Sequence, residues 1–270
     1  MALEKTDAVI LKSFPYGDTS KIARCYTRDY GKISVIAKGV RKSKTLQSGY
    51  LEPLNCVEFL FYRNPKRQLQ IFSKAEYKYL WRSLKSDIKK ITYGFAVVEL
   101  IDRSVTGEEP HEELFQLLVD VLNAINRCEG NLNLIYWFFV IHLLSLLGFR
   151  PHLSHCPRCH GKMESGFFSR VYGELMCKKC YGEAGMSDRI SISRHESNSK
   201  FDGQGFVVKI RAINILKRLK RANVEKVGQI TLNSGDRKEV GGFLNHYLRY
   251  HIEGFNQLKS LLVMEKLFTK

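Results

Sequence analysis

Ile33, Val35 and Ala37 recur at every second position, as do Val57, Phe59 and Phe61, which is the period of a strand with one face in a core. Five such runs, 8–14, 22–27, 32–37, 54–62 and 69–76, are separated by turn-forming stretches: "PYGD", "DYG" and "RNPKR". Five strands packed into about 75 residues suit a small closed barrel of the OB type, a pattern that an SH3-like barrel nearly shares. From about Trp81 the period lengthens. Leu114, Phe115, Leu117, Leu118, Val121, Leu122 and Ile125 follow helical spacing, and "GEEPHEEL" (107–114) before them reads as a turn and an acidic helix start. The stretch "LIYWFFVIHLLSLLGF" (134–149) is apolar on every face, but His142 and Ser145 interrupt it and Gly148 and Pro151 end it. It is shorter than the ~18 uninterrupted apolar residues of a membrane span, so it reads as a buried core helix. Helical patterning resumes in "KIRAINILKRLKR" (209–221), after a polar loop or linker "NSKFDGQGF" (198–206), and a last amphipathic helix is predicted over 241–268.

Charge changes this picture from a generic α+β chain to one with a polyanionic partner. The 270 residues carry 43 Lys+Arg against 27 Asp+Glu, a formal net charge of +16. Residues 1–80 hold 15 basic and 7 acidic side chains and residues 196–270 hold 14 and 7, whereas 81–150 hold 7 and 9. Two basic ends around a nearly neutral middle point to nucleic acid as the leading partner class. Glu4, Lys5 and Asp7 interrupt the N-terminus before an apolar signal segment forms, so a cytoplasmic protein with no membrane partner is expected.

Cysteine spacing adds the sharpest chemical signal. "CPRC" (Cys156, Cys159) and "CKKC" (Cys177, Cys180) are separated by seventeen residues, within the range of a four-thiolate zinc site. The intervening "HGKMESGFFSRVYGELM" can form a hairpin that returns the second pair to the first. Redox disulfides are the competing use of such pairs. One structural Zn2+ per chain is expected, because four thiolates close the tetrahedron and leave no position for water. His155 and His160 flank the first pair as substitute ligands, while Cys25, Cys56 and Cys128 sit in apolar contexts and read as small buried side chains.

Signatures of catalysis do not accumulate. "YGDTSK" (16–21) lacks the order of a phosphate-binding loop, "GQG" (203–205) has no strand before it, and no GxSxG, HExxH or HxE…PCxxC pattern occurs. No catalytic residue is assigned, and a binding protein is expected. The segment "IAKGVRKSK" carries a strand into Lys38, Arg41, Lys42 and Lys44. Cations placed in the loop after a barrel strand, with Lys21, Arg24, Arg28 and Lys32 on neighbouring strands, fit a groove that tracks phosphates. Candidate stacking aromatics are Tyr16, Tyr26, Tyr30, Tyr50, Phe72 and Tyr77.

"AVILKSFPYGDTSKIARCYTRDYGKISVIAKGVRKSKTLQSGYLEPL" (8–54) resembles the N-terminal barrel of the RecO recombination mediator family. The similarity continues through "AEYKYLWRSLKSDI" (75–88), "VELIDR" (98–103), "LFQLL" (114–118), "LGFRPHLSHCPRC" (147–159), "FFSRVYGELMCKKC" (167–180) and "LKS" (258–260). The resemblance implies an OB-fold DNA-binding domain at 1–80, a helical domain at 81–153 and 196–270, and a zinc-finger module at 154–195 set between the two helical parts. It also implies a non-enzymatic role in recombinational DNA repair. Such a protein binds single- and double-stranded DNA, anneals complementary strands, joins RecR, engages the C-terminal tail of single-strand-binding protein and indirectly helps load RecA. The expected DNA-binding residues are Lys21, Arg24, Lys32, Lys38, Arg41, Lys42 and Lys44. The expected metal ligands are Cys156, Cys159, Cys177 and Cys180. A zinc-ribbon RNA-binding or transcription factor is the alternative; a zinc-finger glycosylase is a further one, although Met1-Ala2-Leu3 lacks the N-terminal proline such enzymes use.

Overall fold

The computed structural model describes residues 2–42, 46–186, 205–228, 230–253, 255 and 258–262. They fall into two compact units, one holding the described residues of Met1–Leu132 and Gln257–Lys270, the other those of Asn133–Asn256.

In the first unit, β1 (Ala2–Tyr16), β2 (Ser20–Thr27), β3 (Gly31–Ala37), β4 (Cys56–Arg63) and β5 (Leu69–Tyr79) close into a barrel. The strand order is β1-β2-β3-β5-β4, with β4 returning to β1. All pairings are antiparallel except β3 with β5, where Ser34 faces Leu69. Side chains at alternate positions, Ala8 and Ile10, Ala23 and Cys25, Ile33 and Val35, Phe59 and Phe61, fill the interior, as the period of two dictates. The predicted run 54–62 begins two residues later as a strand, because the buried Leu54 has φ +63, outside the extended region. Between β3 and β4 lies α1 (Leu46–Tyr50), five residues in which no helical period is visible in the sequence.

Helices then cover part of the barrel. α2 (Arg82–Ser86) leads into α3 (Ile88–Ser104), whose N-terminus is capped by the Asp87 carboxylate accepting from the N–H groups of Lys89 and Lys90. In α4 (Glu112–Arg127), His111 is the cap, its Nδ1 accepting from Leu114 N–H, and Glu112 and Glu113 occupy the acidic first turn read from the sequence. Buried Leu258 and the segment after it return to α3, where the Glu99 carboxylate accepts from the N–H groups of Lys259 and Ser260 at 3.1 Å each and from Ser260 Oγ at 2.8 Å.

The second unit opens with α5 (Leu132–Leu146), buried on nearly every face from Leu134 to Leu144, as the continuous apolar run requires. No described helix is long and apolar enough to cross a membrane. β6 (Gly166–Ser169) and β7 (Glu174–Met176) form the hairpin expected between the cysteine pairs, and β8 (Gly205–Val208) adds to the outer side of β6. The loop predicted over 198–206 is therefore corrected at its end; residues 198–204 lie outside the described residues. Gly205 pairs with Ser169, and a Cβ there would collide with the Phe168 carbonyl oxygen, so this strand position tolerates only glycine. α6 (Lys178–Tyr181), α7 (Ile210–Arg221) and α8 (Val224–Val227) follow. The helix predicted over 241–268 is instead α9 (Ser234–His251), begun by an Asn233–Asp236 capping box and ended where Ile252 turns extended. Helical structure resumes only at 259–262, and 263–268 lie outside the described residues.

Candidate nucleic-acid interface and metal centre

The barrel's register decides which predicted cations meet. Tyr16 pairs with Ser20 and Lys21 with Ala37, so the β1–β2 turn lies beside the segment leaving β3. Arg41 ties them together: its N–H donates to the Thr19 carbonyl at 2.9 Å and its Nη1 donates to the Gly17 carbonyl at 3.0 Å. Lys38, Arg41 and Lys42 are exposed, as is Tyr16, 55% accessible on the same turn. Among the described residues none of these three cations has an ion-pair partner. Lys44 lies outside the described residues.

The other three predicted DNA-binding cations face protein. Lys21 is 8% accessible, and its ammonium donates to Glu52 at 2.5 Å and to the Ser48 carbonyl at 3.1 Å. Arg24 Nη1 lies 2.8 and 3.0 Å from the two Asp102 oxygens, and Lys32 Nζ donates to the Asp102 carbonyl at 2.7 Å. Burial, reinforced by the Arg24 charge, holds Lys32 below the ordinary lysine range against the pull of Asp102. The segment after α3 continues over this face. Lys32 N–H donates to the Gly107 carbonyl at 3.2 Å, the Glu109 carbonyl packs over Gly31, and Arg28 reaches Asp7 and Glu112 at 3.4 Å each. An acidic stretch thus occupies the outer side of β2 and β3.

The aromatic candidates divide in the same way. Tyr26 is buried against Phe115, Phe72 belongs to the barrel core, and Tyr30 sets its edge on Phe61 while donating to Glu4 at 2.9 Å. Tyr50 and Tyr77 pack together with ring centroids 4.6 Å apart. Tyr16 and Tyr77 are the exposed members of the group.

In the second unit Cys156, Cys159, Cys177 and Cys180 converge, with all four Sγ atoms within 4.8 Å of one another. Cys156 N–H donates to the Gly161 carbonyl at 2.9 Å and His160 N–H to the Cys156 carbonyl at 2.9 Å, which folds the first pair into a tight turn. The second pair sits at the start of α6, where Cys180 N–H points at Cys177 Sγ at 3.5 Å. Cys159 and Cys177 Sγ are 3.7 Å apart. Burial raises the Cys156 thiol, but N–H groups from Cys159, Cys177 and Arg158 outweigh it and bring the group down to about 6. Burial and sulfur neighbours push Cys180 up to about 12. Four sulfur donors at this separation fit one tetrahedral metal ion, and zinc is the ion such a set favours. His155 and His160 do not join the cluster.

Residues 1–81 match the family described as Recombination protein O N terminal, and residues 85–262 match Recombination protein O C terminal. The chain belongs to the RecO family. Among its relatives, the DNA repair protein RecO of Pelotomaculum thermopropionicum is 28% identical over 267 residues, 98% of this chain and 95% of the relative. That of Salinibacter ruber is 26% identical over 252 residues, 93% and 89% of the two chains, and that of Rubrobacter xylanophilus 30% identical over 186 residues, 68% and 74%. These RecO proteins are named for DNA repair, and the match runs through barrel, helices and cysteine cluster alike.

Sequence reasoning misses the tip of the β6–β7 hairpin. Arg158, Tyr172 and Tyr250 come to the same tip only once the hairpin packs on α9. The "RVYG" turn between two short strands is the local signal that points there.

Proposed function

We propose that this RecO family member is a non-enzymatic, DNA-binding recombination mediator acting in the cytoplasm. It binds single- and double-stranded DNA, anneals complementary strands, and with RecR helps RecA load onto DNA coated by single-strand-binding protein, whose C-terminal tail it engages. The observation that carries the reading is the loop after β3, where Lys38, Arg41 and Lys42 stand exposed near Tyr16 and form no ion pair among the described residues, Asp18 being the acid in the adjoining turn. Cations along a path, with an aromatic ring beside them, bind single strands through phosphates and stacking, without sequence preference. Lys44 extends the same run in sequence. Lys21, Arg24 and Lys32 support this surface from inside their own hydrogen bonds, which leaves direct phosphate contact to the loop.

The barrel is of the OB type in this reading. Its strand order, with a parallel β3–β5 pair completing an otherwise antiparallel closure, supports that assignment. Cys156, Cys159, Cys177 and Cys180 would hold one Zn2+, which supplies a cross-link between the two turns and no chemistry, since four thiolates leave no open coordination position.

The test is annealing of complementary DNA strands precoated with the cognate single-strand-binding protein, intact or lacking its last residues. Fast annealing that depends on the tail supports mediation through a specific contact. Failure on both coats, with salt-sensitive binding to bare DNA retained, reduces the protein to a generic basic binder; preference for structured RNA would transfer it to the zinc-ribbon class.

A further inference from the structure

The β6–β7 hairpin projects a four-residue tip, Arg170 to Gly173, whose turn is closed by Gly173 N–H donating to the Ser169 carbonyl at 2.8 Å and Tyr172 N–H to Ser169 Oγ at 3.2 Å. The tip is fixed against the C-terminal end of α9. A Cβ on Gly173 would overlap the Tyr250 ring, so backbone and ring are in direct contact, and His251 Nε2 is 3.1 Å from the Gly173 carbonyl. Two aromatic rings thereby stand on one surface, Tyr172 39% and Tyr250 47% accessible.

Cations surround them. The Arg158 guanidinium lies 4.1 Å from the Tyr172 ring centroid, and the Glu174 carboxylate is 3.8 Å from it. Arg170 Nη2 is 3.0 Å from His246 Nε2; since His246 Nδ1 faces the Gly242 carbonyl at 2.8 Å and donates to it, Nε2 is the acceptor and the ring is neutral. Arg249 is exposed and near enough to Arg170 and His246 to oppose the charging of both, after burial, which acts first on each. The α9 dipole accounts for a cation in its last turn. Arg170 comes from the hairpin to donate to His246, so the exposed cations beside the two rings are Arg158 and Arg249.

We propose that the hairpin tip and the end of α9 form a second contact for single-stranded nucleic acid, in which Tyr172 and Tyr250 stack on bases while the exposed Arg158 and Arg249 take the flanking phosphates. Exposed rings with planar donors beside them are what an unpaired strand engages, since every base offers a face and every phosphate a bidentate acceptor for arginine. The metal centre then has a mechanical part: it pins the turns from which Arg158 and β7 extend. This inference rests on the DNA-binding reading and adds to it a surface separate from the barrel loop.

The experiment is photocross-linking of the intact chain to an oligodeoxythymidylate carrying 5-iododeoxyuridine, with adducts mapped by mass spectrometry, in the parent and in Arg41→Glu/Lys42→Glu. Adducts on Tyr172 or Tyr250 that persist in the double variant establish the second contact. Tyr172→Ala and Arg249→Ala should each weaken oligonucleotide binding by about fivefold or more, the scale of a single stacked base or a single phosphate interaction, while Tyr172→Phe restores affinity. Adducts confined to the barrel loop overturn the inference and leave the DNA-binding reading standing. Absence of both adducts and binding overturns the two together. A drop in affinity in Tyr172→Phe equal to that in Tyr172→Ala, with zinc content unchanged, also counts against stacking.

Discussion

Arg24 on β2 and Asp102 at the end of α3 meet at 2.8 and 3.0 Å, joining the barrel wall to a helix that lies 78 residues further along the chain. Lys32 joins the same residue through its backbone carbonyl. Two cations that look available in the sequence are thus arranged around one acid. Asp102→Ala removes the carboxylate from a partly buried arginine and should lower stability by about 1–3 kcal/mol in urea unfolding, the penalty of a stranded charged hydrogen-bonding group. Affinity for single-stranded DNA should stay where it was. A strong fall in affinity with stability unchanged would mean that this face touches DNA directly.

Charge reversal on the loop should do the opposite. Arg41→Glu with Lys42→Glu should weaken binding while leaving the unfolding midpoint nearly unchanged, since both side chains are exposed. For every phosphate that is no longer neutralised, the log–log salt dependence falls by about 0.7 on single strands. Fluorescence anisotropy over a potassium chloride series reads both quantities, and an unaltered slope would place the barrel's DNA-binding surface elsewhere.

Thiol chemistry separates the two kinds of cysteine. Metal content should be one zinc per chain, and a chelator should make Cys156, Cys159, Cys177 and Cys180 reactive towards a disulfide reagent. Cys25 and Cys56 should remain silent until the barrel unfolds, because burial raises both thiols, Cys56 to about 12. Cys177→Ser should abolish the stoichiometric zinc and increase amide exchange in β6 and β7. Four reactive thiols before chelation would show that no metal is held.

The start of α9 predicts an acid limb. Arg211 donates to Asp236 at 2.7 Å and, against the effect of burial, holds its carboxyl below the ordinary aspartate range, with Asn233 N–H adding to the shift. A depressed folded-state value means that the contribution is complete above the ordinary value and disappears as pH falls through the depressed one. Asp236→Asn should cost about 1 kcal/mol near neutral pH through the weakened capping box. It should also flatten the stability profile at the acid end, measured by denaturant midpoints against pH.

How far the sequence reveals these features depends on the distance over which each is encoded. Barrel strands are legible because alternation is local, and Val57, Phe59 and Phe61 declare their inward face within five residues. The cysteine cluster is legible because two sulfurs at fixed spacing in each of two turns converge once the hairpin between them forms. α1 is not, being too short for a helical period to register. The partners of Arg24 and Lys32 are hidden for a different reason: composition counts charges but does not pair them, and Asp102 becomes their neighbour only when α3 docks. Tyr172 and Tyr250 are likewise brought together by packing across 78 positions. The end of α9 escapes sequence reasoning because amphipathic spacing continues past Ile252, where the helical backbone does not.

Glu99 receives the N–H groups of Lys259 and Ser260 from 160 and 161 residues further along the chain. During synthesis the barrel and α3 leave the ribosome first, yet their unit stays unfinished until that late stretch has emerged, after the whole of the second unit. A product that stops short of Leu258 should therefore leave this part of the first unit open, with the place where Leu258 belongs exposed to solvent and to proteases. Residues 258–260 thus close a unit that the barrel begins.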